Sequence, residues 1–199
     1  EMGEKTAIAV HACGFESEKE ICEVAKLRLR EALMHSRIQE IQDIIISGGP
    51  PFRKGTKLLA HLMGDFLVKE DVWNNFTMGK TKQSPRIHYA TNCFDSSTDI
   101  QNILKIAKEQ QFDSITAVSS LWHLWALKPL YRYWTNRLNY QGKIDFVSTD
   151  IDIDRRLTGI KTSLFYSFYS LLIELAIGFG LFKQLDKILS SVFSKRKNG

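Results

Sequence analysis

The chain predicts an α/β fold: a three-layer α/β/α sandwich on a mainly parallel sheet of about five strands, with further helices at the C-terminal end. Three observations lead there. Ile44-Ile45-Ile46 sets three β-branched residues in succession, which suits a strand covered on both faces rather than one alternating in and out. Short apolar runs alternate with stretches of helical period along the first 150 residues, the order expected of βαβ units. Several of those runs end on glycine, serine or threonine, as strands do where they open onto ligand loops.

Residues 6–14 form the first predicted strand. Ser17-Glu18-Lys19-Glu20 has the Ser-x-x-Glu spacing of a capping box. It predicts a helix to about Ser36, with Ile21, Val24, Ala25, Leu29, Ala32 and Leu33 at helical spacing. Residues 44–49 are the second strand and its turn, Ser47-Gly48-Gly49, where missing Cβ atoms permit a sharp bend or a close ligand approach. A helix follows with Leu58, Leu59, Leu62, Met63, Phe66 and Leu67 on one face. Residues 71–84 show no period and predict a long loop, packed down in part through Trp73 and Phe76. After Pro85 come a strand over 86–91, a polar turn over 92–99 and a helix carrying Ile103, Ile106 and Ala107. Residues 114–120 are the fourth strand, 121–133 an aromatic-rich helix, and 143–148 the fifth strand.

The tail over 164–182 is the most apolar stretch, with Glu174 its single charge. Its length permits a membrane span, but an acid near the centre is costly in lipid. Leu164, Phe168, Leu171, Leu175 and Phe179 fall on one helical stripe, which predicts a helix packed on the sheet and continuing through Leu185, Ile188, Leu189 and Val192. The expected organisation is a Rossmann-like domain over 1–160 and a helical extension over 161–199 packed on it.

Charge excludes some functions. The balance is +5, from 27 basic and 22 acidic residues, without a basic run interleaved with aromatics, so no nucleic-acid partner is expected. Lys195-Arg196-Lys197 reads as a solvated end, or as a membrane-surface patch if the tail is interfacial. Cys13, Cys22 and Cys93 make neither a disulfide framework nor a C-x-x-C zinc motif. Reduced thiols and a cytoplasmic location are expected, or membrane association if a native anchor precedes Glu1-Met2. His11, His35, His61 and His88 lack metal-ligand spacing. Asp150-x-Asp152-x-Asp154 imitates a calcium loop, but Arg155 and Lys161 stand where that loop needs Gly and Glu. No metal or cofactor is assigned.

Four predicted strand ends deliver polar groups to one edge. They are Cys13-Gly14; Ser47, Gly48 and Gly49; Asp95, Ser96, Ser97 and Thr98 with Asn102; and Ser119 and Ser120 with His123. Hydroxyls, amides and helix N-termini gathered there suit a small anionic or nucleotide-like ligand. Helix capping is the plainer role for Ser96, Ser97 and Ser120. For catalysis the candidates are His123 as acid/base and Cys93 or a serine as nucleophile, with Asp95 the acid expected near them. Cys93 also reads as a small packed residue.

This order of signals resembles the YdcF/SanA-type domain family, over residues 6 to about 150. The motifs that carry it are Ser47-Gly48-Gly49, the turn Asp95-Ser96-Ser97-Thr98-Asp99-Ile100-Gln101-Asn102, and Ser119-Ser120-Leu121-Trp122-His123. The resemblance implies a Rossmann-like sandwich and a loose link to cell-envelope processes. The chain departs from that pattern where the family has Glu after Ser-Gly-Gly, Glu before the Ser/Thr/Asn turn, and Arg soon after the His. Those departures remove the family's general base and anion clamp. The expectation is therefore a ligand-binding domain, with a hydrolase or transferase, and a non-catalytic interaction protein, as alternatives.

Overall fold

A computed structural model describes residues 4–51, 53–78, 84–149 and 168–185. Along the chain lie β1 (Thr6–Val10), β2 (Phe15–Ser17), β3 (Glu20–Ile21), α1 (Glu23–Ile38), β4 (Asp43–Ser47), α2 (Leu59–Met78), β5 (Arg86–Ala90), α3 (Ser96–Glu109), β6 (Ser114–Ser119), α4 (Leu121–Leu138) and β7 (Lys143–Ser148). Five strands pair in parallel in the order β5-β4-β1-β6-β7. Burial explains the apolar runs. Ile44 and Ile46 enter the core with Leu29, Leu33, Met63 and Leu67 of α1 and α2. Ile45 faces the opposite way, into the core with Ile103, Leu104, Leu127 and Leu130 of α3 and α4. A strand sandwiched between two apolar layers needs β-branched residues at consecutive positions. The chain is an α/β/α sandwich of Rossmann type on a five-stranded parallel sheet.

Four local expectations give way. Ser17 does not cap a helix. It closes a small hairpin, accepting a hydrogen bond from Lys19 N (3.4 Å), and Phe15 pairs with Ile21, whose side chain is buried. Helix α1 starts instead after Cys22. Residues 71–78 are not loop but the last two turns of α2. They contain no Gly or Pro, and buried Asp71 is held by Arg37 Nη2 (2.8 Å) and by the Ser84 hydroxyl (2.8 Å). The contact of α1 with α2 here is partly ionic, through Arg30–Glu70 and Arg37–Asp71, so no apolar period marks it. Helix α3 starts within the predicted turn, because Asp95 caps it.

The fourth concerns the tail. Residues 168–178 are helical, but they meet α4 through a face other than the expected stripe. Phe182 stacks against Tyr133 (centroids 4.4 Å), the Ser170 hydroxyl donates to Trp125 O (2.7 Å), and Glu174 pairs with Arg132. Ile173 and Ala176 are buried, whereas the stripe of Phe168, Leu171, Leu175 and Phe179 is exposed. Small Ala176 lets the helix approach α4 on that face, which the bulkier stripe does not. Leu164, Ile188, Leu189, Val192, the Asp150–Asp154 triplet and Lys195–Lys197 lie outside the described residues. No helix among the described residues is long and apolar enough to cross a membrane.

Candidate functional site

From β1 the chain moves outward through β4 to β5, then crosses back to β6 and on to β7. The carboxyl ends of β1 and β6 therefore part, at the switch point where open α/β sheets take ligands. Arg28 occupies that gap. It comes from the buried side of α1, and its residue is 2 % exposed. Nη1 donates to His11 O and Ala12 O (2.9 Å each), at the end of β1. Nη2 and Nε donate to Ser120 Oγ (2.8 and 3.3 Å), just beyond β6. The Ser120 hydroxyl is thus spent on the guanidinium rather than on capping α4, for which it makes no side-chain bond.

Two histidines lie beside it. His123, in the first turn of α4, has a serine hydroxyl at each ring nitrogen: Ser119 Oγ at Nδ1 and Ser96 Oγ at Nε2, both 2.9 Å. A neutral ring donates to one and accepts from the other. Burial, then the charge of Arg28 and the neighbouring His11, hold its pKa well below 6.5. His11 meets its ring edge-on (centroids 5.9 Å). His11 Nε2 is 2.9 Å from the Tyr131 hydroxyl, and Nδ1 is 3.6 Å from Asp99 Oδ2, an electrostatic contact rather than a formed hydrogen bond. Burial lowers the His11 pKa and Asp99 pulls part of it back. The Tyr131 hydroxyl, buried and near Asp99, stays protonated, its pKa far above the ordinary value.

Of the residues anticipated for ligand contact, Ser96, Ser119, Ser120 and His123 come together in this cluster. Ser47 stands one strand away and laces β4 to β1, donating to Val10 O and accepting from Ala12 N (3.3 Å each). Gly48 and Gly49 are buried. A Cβ on Gly48 would collide with the Ala60 backbone (Cα at 2.8 Å), so this glycine serves the close approach of α2 rather than that of a ligand. Asp95 and Thr98 form a reciprocal capping box on α3. Ser97 accepts from Trp134 Nε1 (3.0 Å), and Asn102 Nδ2 donates to Thr91 O (3.1 Å). The Cys93 thiol is buried and donates to Ala90 O (3.1 Å). Burial, then the nearby charge of Asp99, push its pKa up to about 12, which leaves almost no thiolate to act as nucleophile.

Arg28, His11, Asp99 and Tyr131 are the functional candidates the sequence reading passed over. Asp99 is the acid beside His11, its Oδ2 3.6 Å from Nδ1. A signal existed: Val24, Arg28 and Ala32 share one helical line, as do Asp99, Ile103 and Ala107, so each charge interrupts a buried stripe. Among the described residues no group of three His, Cys, Asp or Glu side chains is placed to hold a metal ion. Comparison with protein-family models, with curated proteins and with solved structures finds no match to this chain.

Proposed function

We propose that this chain is a binding domain for a small anionic ligand, phosphate- or carboxylate-bearing and nucleotide-like in its larger forms, held at the parted ends of β1 and β6. The observation that carries this reading is Arg28. A buried guanidinium costs several kcal/mol in desolvation, on the order recovered only by good partners. Its partners here are two carbonyls and a hydroxyl, and among the described residues no carboxylate lies at ion-pair distance. An anion over the Ser96–His123 rim would supply the missing charge, with the Ser96 hydroxyl and the neutral His123 ring as orienting groups.

Thermal unfolding with inorganic phosphate, sulfate and a nucleotide panel tests it. A ligand at 100 times its Kd adds about 2.7 kcal/mol, or about 5–10 °C for a domain of this size. Arg28→Met should abolish the shift, and Arg28→Lys, which keeps charge but not the planar fork, should weaken it. No shift with any anion, or a shift unchanged in both variants, refutes the reading.

A second reading rests on the Ser96–His123 contact. With the Nδ1 proton donated to Ser119, Nε2 accepts the Ser96 O–H bond, the arrangement that activates a serine nucleophile for acyl or phosphoryl transfer. A ring whose pKa lies far below 6.5 is a weak base at neutral pH, which is why binding takes precedence. Hydrolysis of an ester or phosphoester panel by the parent, lost in both Ser96→Ala and His123→Asn, would reverse that order.

A further inference from the structure

The helix over 168–178 has two apolar faces, and only one of them is buried. Toward α4 it sets Ile173 and Ala176, with Phe182 against Tyr133 just beyond its end. The other face carries Phe168, Leu171, Leu172 and Leu175, and the chain leaving the helix adds Phe179 and Leu181. Their exposures run from 37 % at Leu172 to 75 % at Phe179. Positions 168, 171, 172, 175 and 179 fall within about 100° of one another around a helix, so the side chains form one stripe. A single exposed leucine needs no explanation. Six large apolar side chains in one patch mark a surface that meets something.

Charge selects what it meets. Between Phe168 and Phe182 the one charged residue is Glu174. It lies off the stripe and pairs with Arg132 of α4, so the exposed face presents no charge that contact would strip of water. Directly after the stripe the sequence turns basic. Residues 183–199 hold Lys183, Lys187, Lys195, Arg196 and Lys197 against Asp186 alone, a balance of +4 (five basic minus one acidic) out of the chain's +5. Lys183, the first of them, is exposed. A second copy of the chain on this stripe would bring like charge toward like charge. An anionic phospholipid surface answers both properties at once, with acyl chains for the stripe and headgroup phosphates for the cations.

We propose that the helix over 168–178, with Phe179 and Leu181, is a membrane-surface element that lies in the headgroup region of an anionic bilayer, its apolar stripe turned inward. The contact is with one leaflet, since a helix of 11 residues is too short to cross. An apolar stripe or a basic patch alone gives weak, reversible attachment, and the two together hold firmly. Attachment on this side leaves the strand carboxyl ends of the sheet to their own ligand.

Flotation of the full chain with vesicles tests this, using phosphatidylcholine alone and phosphatidylcholine with about one third phosphatidylserine. The chain should float with the anionic vesicles, at least about tenfold less with the neutral ones, and lose most of that binding at about 0.5 M salt, where charges are screened within a few ångströms. Leu175→Gln combined with Phe179→Gln alters only exposed positions and should abolish flotation, with a circular dichroism spectrum that matches the parent. Lys195→Glu, Arg196→Glu and Lys197→Glu together should cut binding to the anionic vesicles by at least about tenfold, since each cation near the surface counts several-fold. No flotation, equal flotation with both vesicles, or flotation indifferent to either set of substitutions overturns the proposal. So does a concentration-dependent dimer that the Leu175→Gln, Phe179→Gln pair dissolves while vesicles go unbound, because the stripe then belongs to a second copy. Thermal shifts with phosphate report on the Arg28 edge and flotation reports on this helix, so the two readings fail separately.

Discussion

Lowering the pH from 7 to 5 should strip stability from this fold through its two buried histidines. In the unfolded chain each binds a proton near pH 6.5, whereas in the native state His123 is held neutral well below that value and His11 also titrates low. Between those limits the unfolded state carries more protons, so stability falls as pH falls through 6.5 and keeps falling until the native rings protonate. One proton is worth about 1.4 kcal/mol per pH unit, so each ring contributes at most about 2 kcal/mol by pH 5, and the pair about 4. That is a large share of the roughly 5–15 kcal/mol of a typical domain. The groups facing the pair are Arg28 from α1, which opposes protonation, and Asp99 from α3, which favours it at His11. His123 should therefore provide the steeper part. Urea unfolding at pH 7.5, 6.5, 5.5 and 5.0 measures the slope, and His123→Asn should remove about half of it while lowering stability at neutral pH. A variant that keeps the full slope, or a His123 ring resonance titrating near 6.5 in the native protein, would refute the argument.

Two further substitutions read the packing. Gly48→Ala sets a Cβ against the Ala60 backbone, which cannot swing aside, and should cost at or above the roughly 3 kcal/mol top of the usual over-packing range. Gly64→Ala meets first the ring of Tyr89, a half-exposed side chain that can rotate outward, and gains about 1 kcal/mol of helix propensity, so it should be near neutral. Urea midpoints in the reverse order would show that the glycine geometry is misread. Ser97→Ala leaves the buried Trp134 indole N–H without its acceptor and should cost about 1–3 kcal/mol, and a change under 0.5 kcal/mol would mean the bond contributes little.

The parallel sheet was legible because it obeys one rule throughout. Residues 44–46 and 115–118 are buried on both faces, and their composition says so without help from the rest of the chain. Helix ends were harder, since Ser-x-x-Glu at residue 17 satisfies the local capping pattern yet loses to the Phe15–Ile21 pairing, a tertiary preference that no four-residue window contains. The second half of α2 was harder to read for a related reason: Glu70 and Asp71 meet α1 through the ion pairs Arg30–Glu70 and Arg37–Asp71, which leave no apolar period. The tail shows the limit of hydropathy. Two faces of its helix are apolar, and the chemistry of α4, with Tyr133, Arg132 and the Trp125 carbonyl, selects the one with Ala176.

At the switch point the division is sharper. Strand-end hydroxyls could be read in order along the chain, because a residue following a buried strand has few places to go. The charges could not be, because Arg28 and Asp99 sit inside helices, where periodicity assigns their positions to the core. A core position occupied by a charge conflicts with the stripe around it, and such a conflict persists only where something compensates the desolvation. For Asp99 the nearest polar group is His11, with Nδ1 3.6 Å from Oδ2. For Arg28 the carbonyls of His11 and Ala12 and the Ser120 hydroxyl satisfy the N–H groups but leave the positive charge itself without a counter-ion among the described residues. Hydrogen-bond satisfaction and charge neutralisation are separate requirements, and this edge meets the first but not the second. An apolar residue of similar volume at position 28 would avoid the desolvation cost altogether. The placement of a guanidinium there, between the two strands whose ends diverge, is the conflict on which the proposed anion site rests.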